Sequence, residues 1–547
     1  MGNKISLTRK QIPIFLVVGA LAIATSRLAV AGDSRGHEHE DLGPGCAPDR
    51  RAIAHRAGGR AESPTGREDS RPIPCVSDTG LRTGEPSIAV TNEGTILFQP
   101  NMTSATGSVG LVRSVDQGAS WEFILPADIP VRASGADMNI YVDRVTGRAL
   151  WTSDLSSRRV DHSDDDGQTW VAGSLFPATV VGFDHTQVFT GPPPRDLIAL
   201  TQGYPNVVYV VVAGGAATCP GLSYCGAHIA RSFDGGLTFD AGVLIPFPPE
   251  CPDPGINPRG SYGLNGVVGR NGTVYLPLTP CQRPYVAISD DAGESWRLSL
   301  VADTETIGYG EVPLGMDRQG NLYAAWSDAS DRLLRLSISR DRGRHWSRPM
   351  TVAAPGVNET AIPQLVAGAR GQVAVSYYGS TNAPLPFPPR CIVGVSMLSG
   401  NLIEAPSLSC AGYEDETWDM YVTESWDALA ARPLFWSATL NDPAYPVWYG
   451  VSPSSIRMIG PNGPNYAIGA TAGAGPSQQG GRVDYFGMTM SPSGTPWVGF
   501  AQECPFGLPV DGNPNCPSWL TGASNDGLIG FVGRLVRARE EEDAGEE

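Results

Sequence analysis

Lysine is nearly missing from this chain. Lys4 and Lys10 are the only two in 547 residues, and both sit among the first ten. Past that point there is no amine for a Schiff base and no G-x-x-x-x-G-K-[ST] phosphate loop. ATP- and pyridoxal-dependent chemistry therefore have nothing to work with. The formal net charge is −17, so a basic face for phosphates is wanting and nucleic acid is not an expected partner. The single G-x-S-x-G, "GDSRG" at 32–36, lies near the start of the chain outside any strand–turn–helix pattern, so a hydrolase elbow has no support. No C-x-x-C occurs either, which disfavours structural zinc.

Long apolar runs are also scarce. One opens the chain: "IPIFLVVGALAIA" at 12–24 follows a basic start and precedes a small-residue "AVA" at Ala29–Ala31. This reads as a secretory signal over 1–31, with the mature protein starting near Gly32. The alternative is an uncleaved membrane anchor, for which the run is short. No later segment looks transmembrane. The expected location is secreted or extracytoplasmic. A poorly structured lead follows over 32–80, and the acidic "EEEDAGEE" in 538–547 reads as a solvated, disordered tail. Ten cysteines remain. In an oxidising compartment they are expected as disulfides, and neighbour pairing gives Cys46/Cys75, Cys219/Cys225, Cys251/Cys281, Cys391/Cys410 and Cys504/Cys516.

What the chain has in abundance is glycine (66) and proline (47), a composition for short strands joined by turns. Residues 162–170 read "HSDDDGQTW", with three aspartates in a row. An EF-hand count back from Gly167 puts His162 at the first ligand position, so a calcium loop fails there. Other copies supply the answer. "SVDQGASW" starts at Ser114, "SDDDGQTW" at Ser163, "SFDGGLTF" at Ser232, "SDDAGESW" at Ser289 and "SRDRGRHW" at Ser339. The pattern S-x-D-x-G-x-x-[WF] recurs five times, roughly 50–70 residues apart. Its Asp can accept backbone N–H bonds in a tight turn, its Gly permits positive φ, and its aromatic can anchor the turn on a sheet. These aspartates are read as structural rather than catalytic.

A second repeat lies between the boxes: a strand, a Gly-containing turn and a second strand. It begins near Glu85, Asp137, Asp184, Gly263, Glu311, Ile362 and Tyr485. The sixth unit has only a decayed box, "SMLSG" at Ser396–Gly400, followed by "MYVTESWDA" and "PLFWSATLN" as further strands. The seventh closes with "GLIGFVGRLV". Two strands, then a strand–box–strand hairpin, repeated in this way predict an all-β propeller over 81–537. Its blades are four-stranded, seven in number, with six as the alternative count.

The boxes resemble the Asp boxes, or BNR repeats, of the sialidase superfamily, and the resemblance covers roughly residues 80–537. It implies a glycan-related role. For an enzyme it implies a carboxylate-gripping arginine cluster, a Tyr–Glu nucleophile pair and an acidic acid/base residue; a Tyr nucleophile sets sialidases apart from most glycosidases. The first-blade Arg motif is missing, because "TGEPSI" places Gly84 where that Arg belongs. Arg82 lies two positions away.

Aligning the inner strands brings Glu85, Asp137, Asp184, Glu311 and Asp484 with Tyr485 to one mouth of the axial channel. Converging carboxylates suit a cation, Ca²⁺ first, or carboxyls that share protons. Equally, they could cap backbone N–H groups. The candidate catalytic residues are Glu85, Tyr485 and Asp137, with Arg82, Asp184, Glu311 and Asp484 as candidate substrate-binding residues. No cofactor is required. Tyr421 with Glu424 is a poorer pair, because residues three apart on a strand face opposite sides. Trp418, Trp426, Trp436 and Trp448 form either an aromatic platform or core. Two functions stay open: a sialidase-like glycoside hydrolase, or a non-catalytic propeller binding a glycan or a protein.

Overall fold

A computed structural model describes residues 42–58, 60–62, 71–83, 85–100, 110–124, 138–153, 159–173, 186–201, 203–215, 224–246, 266–306, 312–384, 416–449, 485–503 and 528–537. They form an all-β, seven-bladed propeller of mostly four-stranded antiparallel sheets. The first blade shows the pattern. Its strands are Ser87–Val90, Ile96–Gln99, Leu111–Ser114 and Glu122–Ile124, in that order from axis to rim. The inner strands of the seven blades begin at Ser87, Ile140, Gln187, Val267, Leu314, Glu359 and Gly487. Each lies against the next, and the seventh lies against the first, so the ring closes. Blade cores are buried on both faces, as at Ile96, Leu97 and Phe98. A sheet that hides both faces reads as a continuous apolar run. No helix among the described residues is long and apolar enough to cross a membrane.

The boxes follow the third strands of blades one to five, at the end where the inner strands finish, and lead into a fourth strand, or in blade two into the single bridge between His162 and Val171. Each repeats one hydrogen-bond set. In the second blade, Ser163 Oγ donates to Asp165 Oδ1 at 2.8 Å and accepts from Gly167 N at 3.0 Å. Asp165 Oδ1 also accepts from Thr169 N at 2.8 Å. Blades one, three, four and five repeat this set around Asp116, Asp234, Asp291 and Asp341. The turn needs two successive residues at positive φ, for example Asp166 at 63° and Gly167 at 79°. The second of these is always Gly in the five boxes. The aromatic closes the turn: Trp170 is buried edge-on against Trp151. The hydrogen bond from the Ser120 hydroxyl holds Asp116 below the usual carboxylate range.

Two expectations are corrected here. The Ser396–Gly400 box lies outside the described residues, and the sixth blade's third-to-fourth turn is Ser425–Trp426–Asp427. There Ser425 Oγ donates to Asp427 Oδ1 at 3.1 Å. "MYVTESWDA" therefore runs into the box position instead of following it. The described part of the 32–80 lead is also ordered into strands. Ile53–Arg56 pairs with Leu434–Thr439 at the rim of blade six and carries Arg60–Ala61 beyond it. Ile73–Arg82 is the outermost strand of blade seven, paired with Leu528–Val536. Blade seven therefore has no third-to-fourth hairpin, and no box is required there. Cys46–Cys75 is a disulfide, as the neighbour pairing predicts. Cys281 is disulfide-bonded too, while its expected partner Cys251 lies outside the described residues. Of the four tryptophans, Trp418, Trp436 and Trp448 are buried, and Arg537 covers the Trp426 ring at 3.8 Å. They are core rather than a platform.

Candidate functional site

A cavity of about 350 Å³ lies on the propeller axis and touches all seven inner strands. This is the size range of small-molecule sites. Its polar wall comes from Ser87, Asn139, Gln187, Thr190 and Gln364, and its aromatic wall from Tyr141, Tyr485 and Phe486. Arg144 is the one charged residue among the described lining.

Local backbone chemistry sets these positions. Asn139 stitches three inner strands together. Its Nδ2 donates to Ser87 Oγ at 3.3 Å, and its Oδ1 accepts from Val188 N at 3.3 Å. Ser87 Oγ also accepts from Ile140 N at 3.1 Å. At the Asp-box end, Arg144 reaches across the mouth. It donates to Val90 O at 2.6 Å and Met490 O at 2.7 Å. Burial pushes the Tyr141 hydroxyl up, and it bonds to Thr190. It stays a neutral donor and acceptor across the physiological range.

The inner strands of blades seven and one approach each other closely at their seam. A Cβ on Gly487 would lie 2.5 Å from Ile88 N and 2.9 Å from the Ser87 Cα. Only glycine allows that approach. Tyr485 and Glu85 each lie two residues upstream of this contact, so they flank the same end of the same seam. Tyr485 is buried and lines the cavity. Glu85 is buried but is not part of the cavity wall. Asp137, Asp184, Glu311 and Asp484 lie outside the described residues. Arg82 ends the Ile73–Arg82 strand opposite Ile529, on the rim strand of blade seven rather than on an inner strand. Tyr421 is stacked on Tyr377, while Glu424 bonds to Gln372. These two are not a pair. Among the described residues, no group of three His, Cys, Asp or Glu side chains converges.

Sequence reasoning missed two features. Asn139, Gln187 and Gln364 line the cavity, and their signal was an amide inside an otherwise apolar inner strand. Arg332 and Glu359 form a buried ion pair at 3.2 Å where the sixth inner strand starts. The repeat alignment began that strand at Ile362, three residues late.

No family model matches this chain, and no curated protein sequence does. Solved structures resemble it only distantly. A protein of unknown function from Dyadobacter fermentans is 13% identical, over 91% of this chain and 100% of that one, at a TM-score of 0.38. YCF48 bound to D1 peptide is 13% identical, over 58% and 83%, at 0.37. The Hadza microbial sialidase Hz136 is 15% identical, over 83% and 66%, at 0.33. Likenesses this remote carry no argument about activity.

Proposed function

We propose that this chain is an exported Asp-box propeller that binds a glycan in its axial cavity, at the end where the inner strands begin. One observation carries this reading. The cavity combines a wall of neutral amides and hydroxyls, Ser87, Asn139, Gln187, Thr190 and Gln364, with the aromatic rings of Tyr141, Tyr485 and Phe486. Sugars present closely spaced hydroxyls on one side and apolar C–H faces on the other, and sites with a few placed polar groups on an aromatic wall suit them. The signal-like N-terminus and the disulfides support an extracytoplasmic setting. The test is a glycan array with residues 32–547, followed by calorimetry on the best-retained oligosaccharide. Micromolar to millimolar binding weakened by Tyr485→Ala is expected. Retention of a protein partner with no glycan bound would favour the protein-scaffold role instead.

A second reading, glycoside hydrolysis, is favoured by the seam that Tyr485 and Glu85 flank. In it Tyr485 is the nucleophile, Glu85 its base and Asp137 the acid/base, with Asp184, Glu311 and Asp484 holding substrate or a calcium ion; Arg82, on the rim strand, takes no part. Aryl-glycoside turnover abolished by both Tyr485→Phe and Glu85→Gln is the expected result. Turnover that survives both substitutions excludes this mechanism.

A further inference from the structure

We propose that Gln364 sets the ligand class of the axial cavity, selecting an uncharged polyhydroxyl sugar over a sugar acid; this rests on the glycan reading above. The Glu359–Ala367 strand carries one extra residue against its partner, since Ala361 faces Tyr378 but Gln364 faces Ser376. Ile362 and Pro363 thus oppose Tyr377 alone. Ile362 is held at φ 51° while almost fully buried. For a β-branched residue this is a strained conformation, and such strain persists where the surroundings fix it. Pro363 has no N–H to return to the ladder. A one-residue insertion turns every later side chain to the opposite face. The bulge therefore decides that Gln364 lines the cavity.

Gln364 is 7% exposed, and its Nε2 has no hydrogen-bond partner. A buried, unmade donor is costly unless a ligand or water completes it. Gln187, on the third blade, lines the same cavity and is 3% exposed. Both amides can donate to and accept from a hydroxyl. Neither can neutralise a carboxylate, and a buried charge needs a counter-charge. The one cation among the described lining, Arg144, sits at the far end and already donates to Val90 and Met490.

The experiment titrates the mature chain with neutral glucose, galactose, mannose and N-acetylglucosamine oligosaccharides, and with sialyllactose. Wild type, Gln364→Leu and Gln364→Met are compared, and their melting temperatures are recorded. Binding of a neutral oligosaccharide, weakened about tenfold by either substitution, with a melting temperature equal or higher, is the expected result. Tighter binding of sialyllactose overturns this inference and leaves the glycan reading standing. Neutral binding unchanged in both variants, or variants that melt lower and bind normally, also overturns it by making Gln364 a structural residue. No binding of any sugar by wild type removes both readings.

Discussion

Arg144 and Met490 stand at the ends of inner strands on blades two and seven, and the guanidinium of the first donates to the carbonyl of the second at 2.7 Å. The same group reaches Val90 on the blade between them at 2.6 Å. One side chain thereby joins three of the seven strands around the axis. Arg144→Met should cost about 1.5–3 kcal/mol, the usual range for hydrogen bonds to a charged group. Urea unfolding monitored by tryptophan fluorescence checks this.

The Cys46–Cys75 disulfide ties the first segment to itself across 29 positions. That segment borders blade six through Ile53–Arg56 and blade seven through Ile73–Arg82. Replacing both cysteines by serine should lower stability by about 2–4 kcal/mol. The early strands should become sensitive to limited proteolysis before the rest of the propeller. Equal protease resistance in the variant and wild type would contradict this.

Glu424 is buried at the Asp-box end of blade six and accepts from Gln372 Nε2 at 3.0 Å. Burial raises its pKa to about 7. A folded value above the unfolded one means the penalty is absent below about pH 4.5. It grows as pH rises toward 7, then levels off. Glu424→Gln keeps an oxygen for Gln372 and should stabilise by roughly 1–3 kcal/mol at pH 8 and not at pH 4. Unfolding curves at the two pH values decide it.

His55 is fully buried beneath the rim of blade six, stacked on Phe435. Its Nδ1 faces the Arg56 carbonyl at 3.3 Å and so must donate; its Nε2, 2.7 Å from Ser437 Oγ, then accepts. Burial lowers its pKa. The unfolded chain therefore takes up the proton first, and stability should fall as pH drops below about 6.5. His162 and His228 shift the same way. His55→Gln should flatten the melting-temperature profile between pH 8 and 5 without abolishing its slope. An unchanged slope would count against a role for His55.

The turn chemistry was readable because each box solves one local problem with one set of residues. Ser, Asp and Gly at fixed offsets satisfy the same donors in blades one to five. In blade six the Gly is absent, and Ser425–Asp427 keeps only part of the bond set. A pattern built on Gly therefore pointed to Ser396–Gly400 instead. The early strands were unreadable for a different reason. "IPCVSDTGLR" has no neighbour in sequence to pair with; its partner is Leu528–Val536. The cavity wall was hidden because Gln364 reaches it through a bulge, and alternation counted from sequence alone cannot anticipate an inserted residue.

Thr79 donates to the carbonyl of Gly530, 451 positions further on. A chain that emerges with its first residues leading cannot make that contact until Gly530 has emerged as well. Until then the nascent molecule is an open arc, and the Ile73–Arg82 segment must stay available without pairing elsewhere. Exposed strand edges invite association between copies. For this protein the hazardous interval in biogenesis falls at the end of chain emergence, when one sheet waits for its rim.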